Sequence, residues 1–178
     1  MTNEHIQTRW HALLFGVRRS IRYHNHRRKV FDALGVWTDF LTIISGGAVV
    51  FFAMTDQVTS SAVFGAAAGI LAALDLVIGF SIKARHHVDL ARQFSKLEQE
   101  ITLIGDAPTQ DELKRKINVR LEIESAEPPT KRTLDAWCHN ELLCAMGYAE
   151  AEKVELTFLQ VALKQFVSVG EYRQKTRN

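Results

Sequence analysis

The sequence predicts an all-α fold: a two-helix transmembrane hairpin continuous with a helical cytoplasmic domain. Three observations carry that expectation. Two long apolar stretches lie back to back, 33–55 broken only by Asp39 and 57–82 broken only by Asp75. The strongly basic residues lie outside them: Arg9, Arg18, Arg19, Arg22, Arg27, Arg28 and Lys29 come before, and Lys83, Arg85, Arg92 and Lys96 come after. No β-alternating segment, internal repeat or low-complexity tract interrupts the helical periodicity elsewhere. The expected organisation is a basic amphipathic helix over 1–32, a hairpin over 33–82 with spans at 35–54 and 60–82, and a cytoplasmic helical domain over 83–178.

At 1.5 Å per residue each apolar stretch makes a helix of about 30 Å or more, the thickness of the hydrocarbon core. Bulk composition hides this, because 47% hydrophobic residues, 24% charged residues and a net charge of +2 are ordinary for a soluble domain. Between the spans, Thr55-Asp56-Gln57-Val58-Thr59-Ser60-Ser61 carries one acid and no base. Lys and Arg near the ends of a span stay on the cytoplasmic side. The expectation is a multi-pass protein of the cell inner membrane with both termini cytoplasmic. A soluble bundle with two central apolar helices would need more amphipathic helix to wrap them than this chain has. A cleaved signal peptide fits poorly, since the first apolar run begins at residue 33 and a second follows directly.

The elements follow in order. Ile6, Trp10, Leu13, Leu14, Val17 and Ile21 recur at helical spacing, with Arg and His opposite. This helix, with Trp10 and Phe15, lies in the membrane interface or packs on the cytoplasmic domain. Trp37 then sits at the depth of an aromatic anchor. Arg22, Arg27, Arg28, Lys29, Lys83 and Arg85 form a basic membrane border. Their charge sets topology and contacts anionic lipid at about 1 kcal/mol per residue, and is not read as nucleic-acid binding. The first span ends in Gly46-Gly47-Ala48 and a Val/Phe run. In the second, Gly65, Gly69 and Ala73 recur every four residues as a groove for close helix packing, against the first span or another subunit.

Beyond Ile82 the helix is expected to continue without a break to Gly105-Asp106-Ala107-Pro108, with Val88, Ala91, Phe94 and Ile101 on one stripe. Thr109 and Glu112 form a capping box that opens the next helix, which runs to Ser125 and ends at Glu127-Pro128-Pro129-Thr130. A last helical region is expected over 130–172 with a break near Gly147. Leu134, Trp137, Leu142, Ala145, Leu156, Leu159, Val161 and Phe166 keep its spacing.

Asp75 is the sharpest candidate for chemistry. It lies about 10 Å inside the cytoplasmic border, where an unpaired carboxylate costs a few kcal/mol and needs a partner, a water-filled cavity or a neighbouring subunit. A ring of such carboxylates at a pore mouth favours cations; a structural pair with a border Arg is the plainer account. Asp39 is shallower, near the cytoplasmic start of the first span: it is a second pore or gating candidate at a depth similar to Asp75, or it simply reaches the interface, which is the simpler account. Asp135, Cys138, His139 and Glu141 invite a metal or catalytic reading, yet their spacing matches no usual zinc signature, so they are expected to pack and hydrogen-bond between cytoplasmic helices. His24, His26, His86 and His87 are expected to form a solvated cluster at the membrane border. Cys138 and Cys144 point in different directions on one helix and are expected to be reduced thiols. With no phosphate loop and no nucleophile elbow, neither an enzyme, a cofactor nor a metal is expected.

Four stretches together resemble the SLATT family, two-transmembrane domains found beside nucleotide-signalling modules in bacterial conflict systems. They are Ile21-Arg22-Tyr23-His24 with Arg27-Arg28; Ala72-Ala73-Leu74-Asp75-Leu76-Val77-Ile78-Gly79-Phe80; Ala84-Arg85-His86-His87 through Asp89-Leu90-Ala91-Arg92-Gln93-Phe94; and Pro128-Pro129 followed by Leu134-Asp135-Ala136-Trp137-Cys138-His139-Asn140-Glu141. Their order and the hairpin topology carry the likeness. The resemblance implies a membrane effector that oligomerises and forms a pore or perturbs the membrane when triggered. Implied partners are the lipid bilayer, further copies of the chain and a cytoplasmic sensor protein or signal. The chain carries no recognisable nucleotide-sensing domain, which departs from the fused members. The alternative expectation is an anchored scaffold whose cytoplasmic helices dock a partner.

Overall fold

The structure is a computed structural model that describes residues 3–148 and 153–165. Its helices are α1 (Asn3–Met54), α2 (Val58–Ile78), α3 (Phe80–Ile104), α4 (Gln110–Ser125), α5 (Arg132–Ala145) and α6 (Phe158–Leu163). There is no strand among the described residues. The chain divides into two compact units, residues 28–86 and residues 1–27 with 87–178. The amphipathic N-terminal segment and the first apolar span form one helix, α1, 52 residues long. Nothing from His24 to Lys29 breaks it, because that polar run contains neither Gly nor Pro.

Unit 28–86 is a helical hairpin. Its tip is closed by Asp56 at φ 54, with Gln57 N–H bonding to Phe52 C=O at 2.9 Å and Asp56 N–H to Ala53 C=O at 3.4 Å. That is a Schellman end, in which Asp takes the left-handed position that Gly usually fills. The two arms meet along Gly35, Thr38, Thr42, Ser45, Val49 and Phe52 on α1, all partly or fully buried at heptad spacing. Opposite them, the Phe64 ring stacks on Phe52 at 5.4 Å and the Ser61 hydroxyl donates to Val49 C=O at 3.2 Å. Lys83 places its ammonium 5.9 Å from the Phe31 ring, so the arms are also joined at their basic end.

The outward surfaces of the hairpin are apolar and uncovered. Val36, Trp37, Ile43, Phe51, Leu76 and Val77 are each more than 60% exposed. Both arms are long and apolar enough to cross a membrane, and only 6% of each apolar window is buried. The central helix of a soluble bundle would be mostly buried, so within this chain that alternative loses its support.

The second arm is not a straight rod through residue 82. Gly79 adopts φ 64, ψ 54, separating α2 from α3 three residues before the expected end of the span. Its N–H still reaches Asp75 C=O at 2.8 Å and its C=O still accepts from Lys83 N–H at 3.0 Å. Beyond it α3 runs unbroken to Ile104, as the absence of Gly and Pro predicts. The joint also changes which residues face inward. The half-buried positions of α2 include Phe64, Ala68, Leu71, Asp75 and Ile78, whose continuation would be Ile82 and Arg85. Those two are exposed, whereas Phe80 and Ala84 are buried.

The other unit has its own core. Ile6, Trp10, Leu13 and Val17 of α1 pack with Leu90, Phe94, Leu97 and Ile101 of α3 and with Leu113 and Ile123 of α4. Of the two places open to the N-terminal stripe, it therefore occupies the one against protein. Trp10 Nε1 donates to Gly105 C=O at 2.9 Å, and Gly105 at φ 80 ends α3. Thr109 and Glu112 close the expected capping box. Arg18–Glu98 at 2.6 Å and Lys116–Glu100 at 2.8 Å tie the polar rims together.

The last region breaks near Gly147, as expected, but does not resume as a long helix. Tyr148 N–H reaches Leu143 C=O at 3.0 Å around Gly147 at φ 74, a second Schellman end. The Asn140 amide then exchanges two 2.8 Å hydrogen bonds with the backbone of Val154, which holds residues 153–157 out of any helix. Leu156 is therefore not helical, and α6 restarts at a Thr157–Gln160 capping box for six residues only. Phe166 and Tyr172 lie outside the described residues.

Phe94 is fully buried at the centre of this core. Phe94→Ala is expected to destabilise the unit by about 3–5 kcal/mol through lost burial and a cavity. Denaturant unfolding of the full chain in micelles, followed by tryptophan fluorescence, measures it.

Candidate functional site

The polar centre of the second unit is built on two adjacent residues of α1, Tyr23 and His24. Both are buried, at 4% and 0% exposure. His24 Nδ1 lies 3.0 Å from His87 Nδ1 on α3, and His24 Nε2 lies 3.1 Å from Glu127 Oε1 in the α4–α5 connection. The Tyr23 hydroxyl accepts the Lys131 N–H at 2.9 Å on the far side of Pro128-Pro129. Tyr23 and His24 thus grip the Pro-Pro connection at both ends. Beneath them the Phe94 ring stacks on His24 at 5.6 Å, and the Tyr23 ring meets His24 edge-on at 5.3 Å. Burial pushes the Tyr23 phenol above its ordinary range, opposed by the Lys131 N–H and by nearby Arg27.

The donor pattern is constrained. Glu127 as a carboxylate accepts, so His24 carries its proton on Nε2. The Nδ1–Nδ1 contact is satisfied when one of the two imidazoles donates and the other accepts. Every hydrogen bond of the chain Glu127–His24–His87 has one donor and one acceptor in this arrangement. A buried network satisfied in this way fixes a single packing of the elements it joins. This overturns the expected solvated histidine cluster: His24 and His87 are core residues, and only His26 and His86 have substantial contact with solvent.

The four α5 candidates all meet partners on α1. Asp135 makes an ionic contact with Arg19 at 3.1 Å, and His139 meets the Phe15 ring edge-on at 5.2 Å. Cys138 is fully buried with Tyr23 and Leu134. Glu141 lies 2.8 Å from His26 Nε2. The Cys138 thiol is pushed up to about 12 by burial first and then by Glu141 and Asp135, with Lys164 and Arg19 acting against them. That is the opposite of an activated nucleophile, whose thiolate needs stabilisation. Donor atoms of His26, Cys138 and Glu141 nevertheless lie within 4.8 Å of one another, a grouping that could hold a metal ion. Beside Glu141 opens a groove of about 870 Å³, lined by Arg22, Trp137, Asn140, Lys153, Val154 and Leu156 among others.

In the hairpin unit, Asp75 is half-buried on the inward stripe of α2, whereas Asp39 is exposed. Thr38 and Thr42 on the facing stripe donate to carbonyls of their own helix at 2.8 Å. Of the small-residue groove, a Cβ at Gly65 would meet Val49 at 3.7 Å, Gly69 has nothing within 4 Å, and Ala73 is exposed. The groove is largely left open by its own chain. The basic border splits: Arg28, Lys29, Lys83 and Arg85 are exposed in the hairpin unit. Arg22 and Arg27 belong to the other unit, where Arg27 donates to Gln165 C=O at 2.6 Å and burial lowers its guanidinium.

Comparison with known proteins finds no matching family model, no matching curated protein and no matching solved structure.

Glu127→Ala leaves the buried His24 Nε2–H without a partner and is expected to cost about 1–3 kcal/mol, whereas Glu127→Gln keeps an acceptor and costs less. Chemical denaturation of both variants tests the difference. Iodoacetamide at pH 8 should alkylate exposed Cys144 and spare the buried, protonated Cys138 until the protein unfolds. Mass spectrometry of the labelled chain reads the outcome.

Proposed function

We propose that this protein is an oligomeric membrane effector that forms a pore or perturbs the membrane in response to a cytoplasmic signal, in bacterial defence. The observation that carries the proposal is the state of the hairpin's outer surface. It is apolar, uncovered, and indented at residues that nothing within the chain requires to be small. Among the described residues, a side chain begun at Gly46, Gly47 or Gly69 would meet nothing within 4 Å beyond its own chain neighbours and helix backbone. Glycine inside a helix costs about 1 kcal/mol relative to alanine. Contacts within the chain do not offset that cost, whereas close approach of another helix in lipid would.

A single hairpin cannot enclose an aqueous path, so conduction needs several copies. Asp75 supplies the charge for such a path, and the Lys and Arg at the other side of Gly79 mark the cytoplasmic end. The likeness to the SLATT stretches points the same way. In this reading the chain is a multi-pass protein of the inner membrane with cytoplasmic termini, and its trigger acts on the unit that holds the His24 cluster. It is not an enzyme.

A second reading, a membrane-anchored scaffold, draws on one feature: the open groove beside Trp137 and Glu141 fits a docked partner protein. Ion flux from liposomes containing the full-length protein separates the two. Flux is expected, and Asp75→Asn should reduce cation flux about tenfold, the factor given by ~1.4 kcal/mol of lost attraction, while insertion stays intact. Unchanged flux in a correctly inserted variant would remove Asp75 from the mechanism. A tight bilayer with confirmed insertion, also after addition of cytosolic extract, would favour the scaffold.

A further inference from the structure

We propose that His26, Cys138 and Glu141 bind a zinc-type divalent cation, with a fourth position open toward the adjoining groove. The site does not depend on the membrane reading. His26 comes from α1, and Cys138 and Glu141 come from one face of α5, three residues apart. An imidazole nitrogen, the thiol sulfur and a carboxylate oxygen all lie within 4.8 Å of one another, and His26 Nε2 and Glu141 already touch at 2.8 Å. A tetrahedral zinc ion with bonds of about 2.0–2.3 Å holds its donors about 3.3–3.8 Å apart. Shifts of about an ångström in the half-exposed His26 and Glu141 side chains reach that geometry, while Cys138 stays fixed in the packed face of α5.

The donor chemistry selects the ion. Calcium and magnesium take oxygen ligands, whereas sulfur, imidazole nitrogen and carboxylate together suit zinc. The charge closes as well: one thiolate and one carboxylate neutralise a divalent cation beside a neutral imidazole. On binding, the Cys138 proton goes to solvent, and His26 carries its single proton on Nδ1 so that Nε2 can ligate. A cation at bond distance from the sulfur removes the penalty that burial places on the thiolate.

One group opposes the ion. Lys164 lies over the Trp137 ring, 3.4 Å from its centroid, and its charge is felt by both Glu141 and Cys138. Burial lowers this ammonium. It balances the acidic side chains when no metal is present, so its removal should strengthen metal binding. Glu141 also lines the groove, so a ligand entering there reaches the fourth position without unfolding α5.

The test is a cobalt(II) titration of the untagged full chain in micelles, followed by competition with zinc. Saturation at one equivalent is expected, with a thiolate-to-cobalt charge-transfer band that zinc abolishes. Cys138→Ser should lose the band and Cys144→Ser should keep it. His26→Gln and Glu141→Gln should each weaken binding by about tenfold or more, and Lys164→Gln should tighten it. Circular dichroism checks that each variant folds; if Cys138→Ser does not, the partly exposed Glu141→Gln and Lys164→Gln decide the matter. No saturable uptake, a band that survives Cys138→Ser, or affinity indifferent to both Glu141→Gln and Lys164→Gln would overturn the proposal.

Discussion

The seam between α1 and α3 is the contact on which the second unit rests. Trp10 and Val17 from one helix and Phe94, Leu97 and Ile101 from the other bury a continuous apolar strip. The same two helices then bring His24 and His87 together at the strip's polar end. Each imidazole supplies the other with one of the hydrogen-bonding partners that burial demands. Glu127 completes the chain from the α4–α5 connection, so α4 and α5 are placed by the seam as well. The apolar strip provides the burial, and the histidines fix which packing is adopted.

Residues on α5 inherit their meaning from that placement. Once Pro128-Pro129 is held by His24 at Glu127 and by Tyr23 at Lys131, α5 runs beside α1 with Asp135, Cys138, His139 and Glu141 all turned to it. An aspartate meets an arginine, a histidine meets an aromatic edge, and a thiol is enclosed. These are packing roles of the kind the helical spacing implies. The cluster of His26, Cys138 and Glu141 is different, because it groups donor atoms where simple packing needs none.

What was legible in the sequence followed local rules. The stripe from Ile6 to Val17 has the spacing of a buried helix face, and Thr109 with Glu112 states a helix start outright. The long apolar runs reveal themselves by length alone. The polar centre was not legible, because His24 and Glu127 stand 103 residues apart and His26 and Glu141 stand 115 apart. No local pattern joins them. His24 and His87 also sit in strongly basic surroundings, which read as solvated surface until the fold encloses them. The end of the chain misled for the opposite reason: Leu156 and its neighbours have helical spacing, but the Asn140 side chain captures the backbone at Val154 and keeps the segment extended. Gly79 looked harmless inside an apolar span, since glycine is common in membrane helices and only its dihedral angles reveal the joint.

That joint makes the two arms of the hairpin unequal. Within the hairpin unit the first arm is one unbroken helical ladder from Arg28 to Met54, about 40 Å long. The second arm is two struts, α2 and α3, pinned together at one left-handed residue. At Gly79 two ladder bonds persist, to Asp75 C=O and from Lys83 N–H, yet the left-handed residue moves the inward stripe from Asp75 and Ile78 to Phe80 and Ala84. Within the hairpin, one arm therefore presents a single continuous face and the other presents two faces, offset at one residue.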